Sequence, residues 1–182
     1  MQHHHHRQRS KQKMSIRKIS LTLAVLGTVF IFQQSAMSQF HLPGGGFSIF
    51  LILVFAWSAI STTDVALVIG FSSGILLDLV QGSDAPFGQW TLIIVLVSYA
   101  VSYLSFGDAN PLGIVFVVIA ANLSAQIFFL ASGALLGVQV GALGQVLLTL
   151  IGTSIWTLVI TPILLPLFTK MHESIFNTRA SL

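Results

Sequence analysis

Continuous apolar runs, interrupted by short polar or glycine-rich segments, make up most of the chain. Positions 47–61 and 91–103, for example, are apolar almost throughout, with no alternation between apolar and polar side chains. A transmembrane β-strand would alternate over segments of about ten residues, so the pattern excludes a membrane barrel. Because backbone groups in lipid need internal hydrogen-bond partners, the runs predict an all-α integral membrane protein.

The positions of the breaks predict a bundle of six transmembrane helices. Glycine and proline interrupt the chain at 41–46, helix-capping residue types lie at 61–64, and turn residues lie at 81–86 and 107–111. A membrane span needs roughly 20 apolar residues, which suits this spacing. We expect helices at about 19–38, 47–61, 65–80, 88–105, 111–131 and 144–168.

Two features near the C-terminal end complicate the last helices. Residues 132–144 carry four glycines among apolar side chains, so they could prolong the fifth helix, re-enter the membrane or pack as a loop. Pro162 and Pro166 lie inside the predicted sixth helix. Because proline removes a backbone donor, it predicts a kink or an end there.

Charge strengthens the membrane interpretation and predicts an orientation. Only 7% of the residues are charged, and the stretch 19–169 contains no Lys, Arg or Glu. A charge at the bilayer centre costs about 2.5–3.5 kcal/mol on insertion scales. Six of the eight cations precede the first helix, which indicates a cytoplasmic N-terminus rather than nucleic-acid binding. Six spans return Lys170 and Arg179 to that same side.

This pattern divides the chain into three parts. We expect a basic cytoplasmic tail or tag at 1–18, a six-helix transmembrane domain at 19–169 and a short cytoplasmic tail at 170–182. The first helix could be mistaken for a signal peptide. Its apolar stretch continues to Phe32 without a clear small-x-small cleavage site, so we expect it to be retained.

Gly70, Gly74 and Asp78 are spaced by four residues and so share one ridge of the third helix. Small residues at this spacing let a neighbouring helix approach closely. Asp78 could cap or pack against that neighbour or dock a partner, or it could bind a proton or ligand, as intramembrane carboxylates often do. No nearby Lys, Arg or membrane His offers it a charged partner, which favours the structural or docking role.

Other polar positions predict packing before chemistry. Asn122 and Gln126 share a face of the fifth helix and could hydrogen-bond across the bundle or contact a ligand. A four-spaced threonine ridge on the sixth helix predicts a packing seam. The chain contains no Cys, no paired carboxylates on one helix and no base beside a nucleophile. We therefore expect no enzyme activity, no metal and no cofactor.

The spacing Gly74-x3-Asp78, followed by Gly82-Ser83 and Pro86-x-Gly88, resembles the signature region of the rod shape-determining MreD family. The specific part of the resemblance covers about 70–104, and the remainder agrees in hydropathy and size. Asp84 and Ala85 lengthen the loop relative to that family.

The resemblance implies a fold similar to the substrate-binding subunits of energy-coupling-factor vitamin transporters. It also implies a non-enzymatic scaffold in the bacterial cytoplasmic membrane that supports lateral peptidoglycan synthesis and rod shape. The implied partners are an MreC-like protein, a RodA-type glycosyltransferase and a class B penicillin-binding protein, with the MreB filament contacted indirectly. The ridge and the loop after it, Gly70 to Gly88, would then build the scaffold or a docking face.

Two rival functions remain open. A substrate-capture subunit of an energy-coupling-factor transporter would have the same size and span number, and Ser20, Ala24 and Thr28 form a small-residue ridge of the kind such a subunit presents to its coupling partner. A proton-coupled carrier could use Asp78, but the chain has no visible internal repeat.

Overall fold

The computed structural model describes residues 16–37, 46–80, 86–105, 110–137 and 141–176. Within these residues the chain forms helices and no strand. The helices are α1 (Ile16–Met37), α2 (Ile49–Ile60), α3 (Thr63–Val80), α4 (Gln89–Leu104), α5 (Pro111–Leu135) and α6 (Leu143–Phe176). The sequence-based prediction of an all-α bundle is therefore confirmed.

Four of these helices, α1, α3, α5 and α6, are long and apolar enough to cross a membrane. The other two are apolar but shorter. With 12 residues, α2 is about 18 Å long at ~1.5 Å per residue, well short of the ~30 Å hydrocarbon core. Length and composition thus define an all-α membrane protein. Of the six helices among the described residues, four are long enough to cross the bilayer, and α2 and α4 are shorter.

The short helix α2 forms the centre of the bundle. It packs against each of the other five helices, and every residue from Phe50 to Ala59 is buried. A helix that is apolar on all sides is stable only when it is surrounded by other apolar elements. The uninterrupted apolar run that predicted a transmembrane helix is therefore surrounded by the other helices of the protein.

Helix α6 continues through its two prolines, and the prediction that it ends near residue 168 is wrong. Pro162 and Pro166 lie inside the helix on its exposed side. Beyond them, the indole Nε1 of Trp57 donates a hydrogen bond of 2.9 Å to the carbonyl oxygen of Phe168. These contacts with α2 stabilise helix that local propensity would end. Residues 170–176, assigned above to a tail, therefore belong to the bundle.

The beginning of α1 and the end of α6 lie at the same end of the bundle, which we call the terminal end. The ammonium of Lys18 donates a hydrogen bond of 3.0 Å to the carbonyl oxygen of Phe176 and lies 5.8 Å from the centroid of its ring. A cation is favourable at a helix C-terminus, where the last carbonyls lack intrahelical partners.

At the opposite end, which we call the loop end, α1 meets the start of α2. Gln33 Oε1 accepts hydrogen bonds from the Phe50 backbone N–H at 2.7 Å and from Ser48 Oγ at 3.1 Å. Ser48 itself caps α2 by accepting from the Leu51 N–H at 3.1 Å. A side chain of one helix thus satisfies orphan donors of the next.

Of the three paths left open for residues 132–144, the described part fits a longer fifth helix followed by a short connection. Helix α5 extends to Leu135, and Gly137 adopts the left-handed conformation with φ of 80°, as is common just after a helix end. Helix α6 begins at Leu143. Residues 138–140 lie outside the described residues.

Candidate functional site: the joint between α3 and α4

The carboxylate of Asp78 caps the first turn of α4. Its Oδ1 accepts a hydrogen bond from the Trp90 N–H at 2.9 Å. Its Oδ2 accepts from the Thr91 N–H at 3.0 Å and from the Thr91 hydroxyl at 2.5 Å. Asp78 is 7% exposed, so these three bonds replace most of its contact with solvent. The carboxylate satisfies two of the four orphan donors at this helix start and lies at the positive end of its dipole.

Gly74 lies one turn before Asp78, where the backbones of the two helices approach closely. A Cβ atom built on Gly74 would lie 2.4 Å from the Cα of Thr91 and 3.0 Å from its backbone nitrogen. Only a residue without a side chain allows the two backbones to come this close. The same Thr91 is therefore held by Asp78 and packed against Gly74.

Gly70 continues the contact one further turn along the ridge. A Cβ there would lie 2.9 Å from both Cβ and Oγ of Ser98 and 3.2 Å from the carbonyl oxygen of Ile94. The two serines beside this contact, Ser73 and Ser98, are fully buried. Ser73 Oγ donates to the Ile69 carbonyl of its own helix at 2.7 Å. The ridge thus packs against α4 along two turns of helix.

The remaining residues of the motif begin α4. Pro86 is exposed, and Gly88 is the N-cap with φ of 96°, a left-handed conformation that favours glycine. Gly88 carries no side chain to cap the helix, and Asp78 supplies the cap from α3. Gly82 and Ser83, also part of the predicted motif, lie outside the described residues. We call the contact of Gly70, Gly74 and Asp78 with the start of α4 the α3–α4 joint.

Gln89, the first residue of α4, anchors the joint to α5. Gln89 Nε2 donates to the carbonyl oxygen of Phe129 at 3.0 Å and to Ser132 Oγ at 2.7 Å. The rings of Trp90 and Phe129 stack with centroids 4.4 Å apart. The end of α3, the start of α4 and the end of α5 therefore form one connected unit at the loop end.

The chemistry of Asp78 in this setting is that of a hydrogen-bond acceptor. Its two oxygens are directed at donors of α4, and the geometry is that of an anion at a helix N-terminus. Of the roles that the sequence left open for Asp78, these contacts fit that of a helix cap. They bring Gly70, Gly74 and Asp78 together inside the protein and not on its outer surface.

Asn122 and Gln126, the second pair of candidates, lie on the contact between α5 and α6. Asn122 Nδ2 donates a buried hydrogen bond of 3.0 Å to Thr157 Oγ1. Thr153 Oγ1 donates to Gln126 Oε1 at 3.2 Å and also to the Thr149 carbonyl oxygen at 2.9 Å. Of the threonine ridge at 149, 153, 157 and 161, the last three are buried, as a packing seam requires. The pair is thus engaged in helix association, although Gln126 also lines a cavity.

We expect removal of the acceptor and removal of the donor of the buried Asn122–Thr157 hydrogen bond to destabilise the protein by different amounts. Thr157→Val leaves the Asn122 amide without its acceptor, at about 1–3 kcal/mol for an unpaired buried donor. Asn122→Leu costs less, because the Asn122 Oδ1 is already without a partner among the described residues and the threonine hydroxyl can turn to its own helix. Thermal unfolding in detergent measures both.

A double-mutant cycle isolates the coupling between these two side chains. We expect about 0.6–1.7 kcal/mol, as for polar pairs in other membrane bundles. The matched pair Gln126 and Thr153 serves as the control and should couple more weakly, since the single hydroxyl proton of Thr153 is shared with a backbone carbonyl. Equal coupling in both cycles would contradict this account.

Several structural polar residues could not be singled out from the sequence. Buried His172 lies in the segment predicted as a tail. Its Nε2 forms a 2.8 Å hydrogen bond with Ser61 Oγ, and its ring stacks on Phe176 with centroids 4.4 Å apart. Trp57 meets the same imidazole edge-on at 5.9 Å. These partners are distant in sequence, and no local pattern connects them. For Gln33, the one signal in the sequence was its place as a polar residue at the end of the first apolar run, where a side chain can satisfy backbone groups of a neighbouring helix.

Two of the cavities between helices have polar side chains in their walls. One of about 310 Å³ lies at the loop end between α4, α5 and α6 and is lined by Trp90, Gln126, Phe129 and Gln145, among others. Another of about 720 Å³ lies at the terminal end between α5 and α6.

No family model, no curated protein and no solved structure matches this chain. The fold and the joint define its class as an all-α membrane bundle.

Proposed function

We propose that this chain is a non-enzymatic membrane scaffold of the MreD type, which supports lateral cell-wall synthesis in the bacterial cytoplasmic membrane. The observation that carries the proposal is the α3–α4 joint. Gly74 and Asp78, which carry the resemblance to that family, both contact Thr91 of α4. A rigid joint of this kind supports a role in which the bundle presents a fixed shape to its partners.

The use of Asp78 within the bundle supports this role over a proton-coupled carrier. A carrier needs a carboxylate that exchanges its proton with an aqueous path. Here both oxygens are bonded to the start of α4, and removing the charge would weaken the helix cap.

The orientation proposed for this scaffold has the terminal end in the cytoplasm. Lys18 and Lys170 both belong to that end, through the start of α1 and the last part of α6. Their common side agrees with the bias of cations toward the cytoplasm. An MreC-like protein, a RodA-type glycosyltransferase and a class B penicillin-binding protein would then bind from the membrane or the outer side.

Purification of the tagged protein from its native membrane in mild detergent, with mass spectrometry of the associated proteins, tests the proposal. We expect an MreC-like protein and wall synthases, and loss of rod shape when the gene is deleted. Unchanged cell morphology together with the absence of these partners would overturn it. The variant Gly144→Ala, at a helical glycine with nothing within 4 Å of the added Cβ, should retain the same partners.

One observation favours the alternative of a substrate-capture subunit of an energy-coupling-factor transporter. The cavity at the loop end has the size of a small-molecule site, and it combines the stacked Trp90 and Phe129 with the amides of Gln126 and Gln145. The ridge Ser20, Ala24 and Thr28 is also exposed on α1. Recovery of paired ATPases with a coupling subunit in the same purification would establish this alternative.

A further inference from the structure

The cavity of about 720 Å³ at the terminal end is an open groove between the start of α5 and the last part of α6. Apolar side chains form most of its wall, including Leu112, Ile114 and Leu165. Leu112 is 67% exposed, so the groove opens to the surroundings of the bundle. In a membrane protein, those surroundings are lipid chains.

The groove is lined by residues at the start of α5 and in the last part of α6. On the α6 side, Pro162 and Pro166 line the wall, and their compact rings extend less far than a leucine would. On the α5 side the helix begins at Pro111, so the wall starts at that level. His172 also lines the groove, and its Nε2 is hydrogen-bonded with Ser61 Oγ.

The dimensions suit one lipid chain. From Pro162 to Lys170 the wall of α6 rises by eight residues, or about 12 Å at ~1.5 Å per residue. The hydrocarbon of one leaflet is about 15 Å thick, half of the ~30 Å core. A chain lying along the groove would therefore run from the headgroup level to near the middle of the bilayer.

Charged side chains of both signs lie at the mouth of the groove. Lys170 and Glu173 both line it, are both exposed, and are three residues apart on α6, so they share one side of the helix. The ammonium of Lys170 suits a phosphate group. The carboxylate of Glu173 accepts hydrogen bonds only, so it repels a phosphate and suits a primary ammonium.

We propose that this groove binds a phospholipid with a phosphoethanolamine headgroup. The phosphate contacts Lys170, the primary ammonium donates to Glu173, and one acyl chain lies between Ile114 and Leu165. Glu173 repels a lipid with a net negative charge. A quaternary ammonium has no proton to donate to the carboxylate of Glu173. The groove thus recognises the zwitterionic headgroup by its two charges and the chain by its apolar wall. This site is independent of the scaffold function proposed above.

Native mass spectrometry of the detergent-purified protein, titrated with lipids of matched acyl chains, tests this assignment. The probes are phosphatidylethanolamine, phosphatidylcholine and phosphatidylglycerol. We expect phosphatidylethanolamine to be retained about fivefold more than either of the other two lipids. This is the factor that corresponds to one charge contact at the headgroup level. Glu173→Gln should abolish this preference, because the discrimination between the headgroups comes from that carboxylate. Lys170→Gln should weaken the binding of all three lipids, because each carries the phosphate. Both positions are exposed, so neither variant should affect folding.

A second pair of variants tests the apolar wall. Ile114→Trp fills the groove and should reduce binding of all three lipids, whereas Ile163→Trp, on an exposed part of α6 outside the lining, should not. Equal retention of the three lipids would overturn the proposal, as would unchanged binding to Ile114→Trp. Tighter phosphatidylglycerol binding that increases further in Glu173→Gln would also overturn it, because it would indicate an anion site at Lys170 alone.

Discussion

Gly74→Ala is expected to destabilise the bundle more than any other single-methyl substitution at a glycine we consider. The added Cβ would lie 2.4 Å from the Cα of Thr91, and a backbone atom cannot rotate away as a flexible side chain can. Helices α3 and α4 must separate, which also stretches the three hydrogen bonds of Asp78. We expect a loss of about 3 kcal/mol or more, at or above the upper end of overpacking costs.

Two other glycines of the chain provide the matched controls. Gly144→Ala in α6 places its Cβ in open space, so higher helix propensity should leave stability unchanged or raise it by up to about 1 kcal/mol. Gly70→Ala should be intermediate, since its nearest neighbours belong to the Ser98 side chain. Thermal unfolding in detergent, followed by the fluorescence of the three tryptophans and by size-exclusion chromatography, ranks the variants. The same Tm for Gly74→Ala and Gly144→Ala would refute the close approach.

Asp78→Ala is expected to have the second largest effect. It removes the acceptor of three hydrogen bonds and leaves the N–H groups of Trp90 and Thr91 without a cap. An unpaired buried donor costs about 1–3 kcal/mol, and loss of a cap alone costs about 0.5–2 kcal/mol. We therefore expect about 2–4 kcal/mol from these contributions, which overlap and do not add fully.

Conservative variants separate the cap from other roles of the carboxylate. Asp78→Asn retains one acceptor oxygen but places an amide donor against a backbone donor, so it should lose less than Asp78→Ala but more than Thr91→Val. Thr91→Val removes only the hydroxyl contact. A double-mutant cycle between the two positions should give a coupling of about 0.5–3 kcal/mol, as for residues in direct contact. A stable, fully folded Asp78→Ala protein would exclude the capping role.

The sequence alone determined the class of fold and, for the part of the chain that the structure describes, the number of helices and most of their bounds. Long apolar runs without cations require lipid or a fully apolar environment, and glycine, proline and polar breaks divide them. The glycine ridge was also legible, because a spacing of four aligns side chains on one face of a helix whatever surrounds it. The spacing placed Gly74 and Asp78 on one ridge, and in the structure both contact Thr91.

Only the tertiary structure decided which neighbour that was and what each polar group does there. The run of α2 carries the same composition whether lipid or protein surrounds it, so its central burial could not be read from hydropathy. Pro162 and Pro166 predicted a kink or an end, and α6 continues past them to contacts with Trp57 and Ser61. In each case the local signal is worth at most a few kcal/mol. Contacts between residues far apart in sequence outweigh it, and those contacts exist only in the folded bundle.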